Sequence, residues 1–179
     1  ALVGGSLVGM SAVHAPREVI LERQATLPIP VEQVWAAVEE PTFWMRWDGL
    51  IGEISPLSSG TDPQTEPGST ARTGDTFSAL LKVAGRNVPV QLTVRSEAAK
   101  REMGWDVSWT QGSAVKRFVV RLHLQPRGDE TEVTYRVHYH LPSFGARLAN
   151  TLALESGVRE SMEESLSGLD RWAQEHLGR

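Results

Sequence analysis

Glu155 is the polar residue most out of place in this sequence. On a helical wheel of about 100° per residue it falls inside an apolar stripe formed by Leu148, Leu152, Val158, Met162, Leu166 and Leu169. Arg159 follows four residues later, near the edge of the stripe. Two readings of the pair stay open. One is a Glu-to-Arg helix pair worth roughly a few tenths of a kcal/mol. The other is a carboxylate held against an apolar wall, where it can act as acid or base. Arg23 poses a similar choice, because it interrupts the inward side of an alternating segment, Glu18 to Leu27. It either polarises a ligand carbonyl or binds a carboxylate, or it pairs with Glu155. Glu155 and Arg23 are therefore the candidate catalytic groups.

The second constellation is aromatic. The chain has six Trp beside two Tyr and four Phe. Trp105 and Trp109 share one face of a segment that alternates apolar and polar residues, and Tyr135 and Tyr139 repeat that spacing on another. Aromatic rings bury large areas while indole N–H and phenol O–H need hydrogen-bond partners. Each ring either packs as core with a local partner or lines a pocket, and we expect at least two of the four to line one. Phe77, Leu152 and Arg159 complete the expected lining. The histidines invite a metal, since His123, His138 and His140 share the wetter face of neighbouring strands. A hairpin tip at residues 127–130 places His123 opposite residue 134, about 13 Å along the strand from His138. Ligands lie about 2 Å from a zinc ion, so neither a metal nor any other cofactor is expected.

Composition removes other classes. Without cysteine there is no thiolate ligand and no thiol nucleophile. A formal charge of −4 argues against nucleic acid as a partner. No apolar run approaches the roughly 18 to 20 residues that span a bilayer, so no integral membrane segment is expected. The glycines at 4, 5 and 9 precede no Gly-Lys-Ser/Thr, and no nucleophile-elbow motif is present. Cytoplasmic residence is the expected location, and the oligomeric state stays open.

These groups need elements to position them. Residues 1–16 are small and weakly apolar and read as a disordered leader or a remnant of expression, and residues 17–179 as a single domain. A strand over Glu18–Leu27 is followed by a short amphipathic helix, where Val31, Val34, Trp35 and Val38 recur at helical spacing after Pro30. Pro41 starts a second short turn carrying Phe43, Trp44 and Trp47, and a short strand over about residues 50–57 comes next. Pro56 to Gly74 reads as a loop, either a mobile surface segment or a lid. Alternation then predicts an antiparallel meander with one covered face, built on Phe77–Val83, Val88–Val94, Met103–Trp109, Phe118–Leu124 and Val133–Leu141. Residues 144–177 read as one long helix with a kink at Ser156-Gly157. A single helix about 10 Å wide cannot fill the concave side of six or seven strands, so a cavity is expected between them.

At this point the chain resembles the START/SRPBCC superfamily, the helix-grip fold, in its polyketide cyclase/dehydrase-like branch. The resemblance rests on Leu27-Pro-Ile-Pro-Val-Glu-Gln-Val-Trp-Ala-Ala-Val38 with Pro41, Phe43, Trp44 and Trp47, and on the closing Leu166-Ser-Gly-Leu-Asp-Arg-Trp172. One departure is Asp48-Gly49 after Trp47, where the family often has Pro. The resemblance implies an α+β fold: a curved antiparallel sheet of six to seven strands around a long C-terminal helix, with two short helices after the first strand. It places Trp44 and Trp47 beside the cavity, as caps of its entrance or as a corner packed on the sheet. It carries over no catalytic motif. The function it implies is binding of a hydrophobic or aromatic small molecule, with cyclisation or dehydration of a polyketide-like chain as the associated chemistry. A non-catalytic carrier or sensor of lipid-like ligands is the alternative, and a protein-interaction module anchored on exposed Trp44 and Trp47 is a third class.

Overall fold

The structure is a computed structural model that describes residues 17–56, 70–97, 101–113 and 115–177. The leader and most of the loop after Pro56 lie outside the described residues. Strand β1 (Glu18–Leu27) is followed by helices α1 (Val31–Glu39) and α2 (Pro41–Trp47). A meander follows: β2 (Ile51–Pro56), β3 (Thr76–Val83), β4 (Arg86–Glu97), β5 (Glu102–Trp109), β6 (Lys116–Arg127) and β7 (Glu130–His140). Helix α3 (Phe144–Ala149), a π-helical turn (Asn150–Leu154) and helix α4 (Glu155–Leu177) close the chain as one continuous rod. This is the expected helix-grip architecture.

All seven strands form one antiparallel sheet in the order β1-β7-β6-β5-β4-β3-β2. The alternation in the sequence sorts the two faces. Inward residues such as Leu92, Val94, Val120, Leu122 and Val137 are fully buried. The outer face carries ion pairs, Arg136 with Glu22 and Asp106 with Arg121 and Arg95, and hydrogen bonds between Glu18 and both His138 and His140. His123 lies opposite Thr134, as the hairpin predicts.

Two features of the closing helix differ from expectation. The irregularity is the π turn rather than a kink at Ser156-Gly157, through which α4 runs unbroken. Gly157 instead lets the tip of the β3–β4 hairpin approach, and a Cβ there would sit 3.1 Å from the Ala84 Cα. The π turn also inserts a residue, which rotates everything before it by about 100° relative to the wheel. Leu152 therefore swings outward to 65 % exposure, while Asn150 turns into the core.

The corner after β1 ties the short helices to the closing helix. Trp44 and Trp47 are buried, and their indole N–H groups donate to the carbonyls of Val38 and Ala37 in α1, at 2.7 and 3.1 Å. Their burial removes the exposed-anchor reading of this corner. α4 meets it backbone to backbone: a Cβ on Gly168 would lie 2.5 Å from the Trp47 carbonyl oxygen, and one on Gly49 2.5 Å from that of Ser161. Gly168→Ala is therefore expected to destabilise the fold by about 1–3 kcal/mol through overpacking. A Cβ on Gly145 meets nothing within 4 Å, so Gly145→Ala in α3 is expected to be neutral or to stabilise by up to about 1 kcal/mol. Urea unfolding of the two variants checks the contrast.

Candidate functional site

The inner face of the sheet and the closing helix enclose two aromatic groups. Trp44 stacks on Trp105 at 4.9 Å and meets Phe77 edge-on at 5.6 Å. Across the sheet, Trp109 meets Phe118 edge-on at 5.9 Å, and Phe118 stacks on Tyr139 at 5.6 Å. The corner tryptophans are satisfied by α1 carbonyls, but those of β5 are not. The Nε1–H groups of Trp105 and Trp109 are buried and find no acceptor among the described residues. A buried donor without an acceptor costs about 1–3 kcal/mol, so two on one face of one strand form an unusual wall.

Two polar clusters interrupt this apolar interior. In the first, the Tyr139 hydroxyl donates to Asn150 Oδ1 at 2.5 Å. Asn150 Nδ2 in turn makes a long contact with Glu155 Oε2 at 3.5 Å. Glu155 Oε1 accepts from Arg159 Nη2 at 2.7 Å and Nε at 3.1 Å. The cluster runs from the half-exposed Glu155–Arg159 pair to the buried tyrosine. Burial, then the Glu155 charge, raises the Tyr139 pKa above the usual tyrosine value, so its hydroxyl stays a donor. The π turn makes this cluster possible, because it aims Asn150 inward.

The second cluster centres on Asp48, which is buried between the α2–β2 corner, β7 and α4. Its Oδ1 accepts from the Leu50 N–H at 2.8 Å and lies 3.1 Å from the Ser165 hydroxyl, whose single proton is shared with the Ser161 carbonyl at 2.7 Å. The Tyr135 hydroxyl reaches Oδ2 at 3.2 Å. Ser165 Oγ also accepts from the Gly49 N–H at 2.9 Å, which ties the corner to α4 twice. No cation pairs with Asp48 among the described residues. Burial raises its pKa from 3.8 to about 6, against the opposing pull of Leu50, Ser165 and Tyr135. On the outer side of the corner lies an open groove of about 520 Å³ whose lining includes Arg46, Lys82, Glu160, Glu164 and Arg171. Its charged walls do not suit an apolar ligand.

The expected site residues thus separate. Trp44, Phe77 and Trp105 come together, and Trp109 and Tyr139 each meet Phe118, with Tyr139 linked through Asn150 to Glu155 and Arg159. Tyr135 belongs with Asp48, and Trp47 sits in the corner. Leu152 is turned to solvent by the π turn. Arg23 pairs with Glu163 at 3.2 Å rather than with Glu155, eight residues away on α4, which is about 12 Å of helix. Sequence reading missed Asp48, Asn150 and Ser165. The signal for Asp48 was its position between Trp47 and Leu50-Ile51, a stretch that is buried throughout.

A family model described as polyketide cyclase/dehydrase and lipid transport matches residues 18–174. Among solved structures, the Zhui aromatase/cyclase from Streptomyces sp. R1128 superposes with a TM-score of 0.68 at 11 % identity, covering 90 % of this chain and 98 % of that one. A START superfamily protein from Mycobacterium smegmatis gives 0.61 at 15 %, covering 87 % and 97 %. Norcoclaurine synthase from Thalictrum flavum, in complex with dopamine and hydroxybenzaldehyde, gives 0.61 at 12 %, covering 93 % and 92 %. At these identities the likeness is one of fold. No curated protein matches the sequence.

Asp48 supplies a pH test of the described geometry. Its folded pKa lies above its unfolded value, so its contribution is fully present below about pH 4 and is lost as the pH rises through about 6. The loss is on the order of 3 kcal/mol, from about two pKa units. Asp48→Asn is expected to flatten that part of the profile. The measurement is the melting temperature of both proteins from acid to neutral pH, with the difference between them isolating Asp48 from other carboxylates.

Proposed function

The chain belongs to the polyketide cyclase/dehydrase and lipid transport family, and we propose that it holds a hydrophobic or aromatic small molecule between the inner sheet face and the closing helix. The observation that carries this reading is the pair of buried indole N–H groups on β5, Trp105 and Trp109, which lack acceptors among the described residues. A ligand with carbonyl, ether or hydroxyl oxygens supplies those acceptors and removes the cost of leaving the donors unmade. Trp44, Phe77, Tyr139 and Phe118 offer aromatic faces for the rest of its surface.

Holding is favoured over proton transfer by how the ionisable groups are engaged. Glu155 is tied to Arg159, Arg23 to Glu163, and Asp48 to three donors. A carrier or sensor needs only the apolar wall and the indole donors. Ring closure or water loss on a polyketide-like chain is the second reading, favoured by the link from Glu155 through Asn150 to Tyr139. In it the protein folds a flexible substrate into a reactive shape, and Glu155 acts as acid or base once Arg159 releases it.

Native mass spectrometry of the purified protein, alone and after exposure to a lipophilic metabolite extract, is expected to show a bound small molecule. A chain that carries nothing in either condition refutes the cavity reading. Trp109→Phe keeps an aromatic ring but removes the N–H. It is expected to weaken binding of an oxygen-bearing aromatic by about tenfold, the worth of one hydrogen bond, and to leave binding of a plain aromatic hydrocarbon unchanged. Under the cyclase reading, Glu155→Gln lowers turnover with little change in binding, whereas a carrier is indifferent to it.

A further inference from the structure

We propose that the end of the molecule bearing Phe144 and Leu152 docks on an anionic lipid surface. Both side chains are large, apolar and turned to solvent, Phe144 at 45 % and Leu152 at 65 % exposure. They lie on the rod formed by α3 and the π turn, which leaves β7 at this end and then meets the β3–β4 hairpin tip, where Gly157 touches Ala84.

The strand register gathers cations around them. His140 pairs with Glu18 on one side and Lys116 on the other, which brings Arg17, Lys116 and the bulged Arg117 beside the start of α3. Arg86 stands at the hairpin tip opposite Val83, at the same end of the sheet. All four cations are exposed, and none is in an ion pair among the described residues. Among the described residues at these strand ends the acid is Glu18, hydrogen-bonded to His138 and His140, and the four cations outnumber it.

The opposite end carries more acids than cations. Glu32 and Glu39 of α1, Asp129 and Glu130 at the β6–β7 tip, and Asp170 and Glu175 of late α4 lie there beside Arg127 and Arg171, and the whole chain carries a formal charge of −4. A molecule that is acidic overall and cationic at one pole is turned by a negative surface so that this pole faces it. The exposed apolar side chains then enter the interfacial layer, as on an interfacial helix. The same pole holds the C-terminal end of β5, with Trp109. The proposal does not depend on what the cavity holds.

The test is co-flotation of the full chain with vesicles of phosphatidylcholine alone or mixed with phosphatidylserine. Flotation is expected with the mixed vesicles only and is expected to weaken as salt rises. Reversing two cations in a Lys116→Glu, Arg117→Glu variant is expected to reduce it by about tenfold or more. Phe144→Ser with Leu152→Ser is expected to reduce it similarly, with every cation kept. All four positions are exposed, and circular dichroism checks that both variants fold. Absence of flotation overturns the proposal, as does equal flotation with both vesicles. It is also overturned if the serine variant floats like the wild type, or if the cations bind an acidic soluble protein while vesicles are ignored.

Discussion

One helix closing a seven-stranded curved sheet is the constraint on which the rest of this structure depends. Seven strands about 4.8 Å apart make a sheet nearly 30 Å across, whereas the helix is about 10 Å wide. The helix therefore cannot cover the concave face alone. The α1–α2 corner fills one flank with Trp44 and Trp47, Trp44 meeting Trp105 and Phe77 of the sheet, and the strands fill the other with Trp109, Phe118 and Tyr139. The surplus of tryptophan in the composition is the chemical consequence of that width.

Covering a wide face with large rings brings polar atoms inside. Indole and phenol groups each carry a donor, and a buried donor must be paired or it costs free energy. The fold meets this need in two ways and leaves part of it unmet. Main-chain carbonyls of α1 receive the corner indoles. Asn150 and Asp48 receive the two tyrosines of β7. Trp105 and Trp109 on β5 receive nothing from the described residues, and neither does Trp172 of α4; the two on β5 share one inward sheet face, on which the proposed ligand reading rests. The acceptor given to Tyr135 is itself costly, because Asp48 is a buried carboxylate with no cation beside it. Its place at the junction of corner, β7 and α4 makes it a structural tie whose strength depends on pH.

The legible part of the fold was the part governed by local period. Alternation in β1 and β3 to β7 assigned the inward residues, and the helical spacing of Val31, Val34, Trp35 and Val38 located α1. The pairing of His123 with Thr134 followed from a hairpin tip recognisable by its Gly and Asp. The wheel failed for Leu152, because a regular 100° step was carried through residues 150–154, where the helix spends an extra residue. The same insertion hid Asn150, which a regular wheel keeps off the centre of the stripe. Arg23 was placed on the inward side, but the choice between Glu155 and Glu163 as its partner depends on where α4 crosses the first strand.

By itself, then, the sequence determined which residues face inward on most strands, the order of the elements, and the family to which they point, because each is encoded within a few neighbouring residues. Tertiary structure alone decided which polar groups meet. Asp48, Tyr135 and Ser165 are separated by up to 117 residues, and their convergence depends on the crossing of the helix over the sheet. It also decided that the corner tryptophans are satisfied while those of β5 are not, since an indole N–H reads only the carbonyl in front of it. No local pattern records which carbonyl that will be.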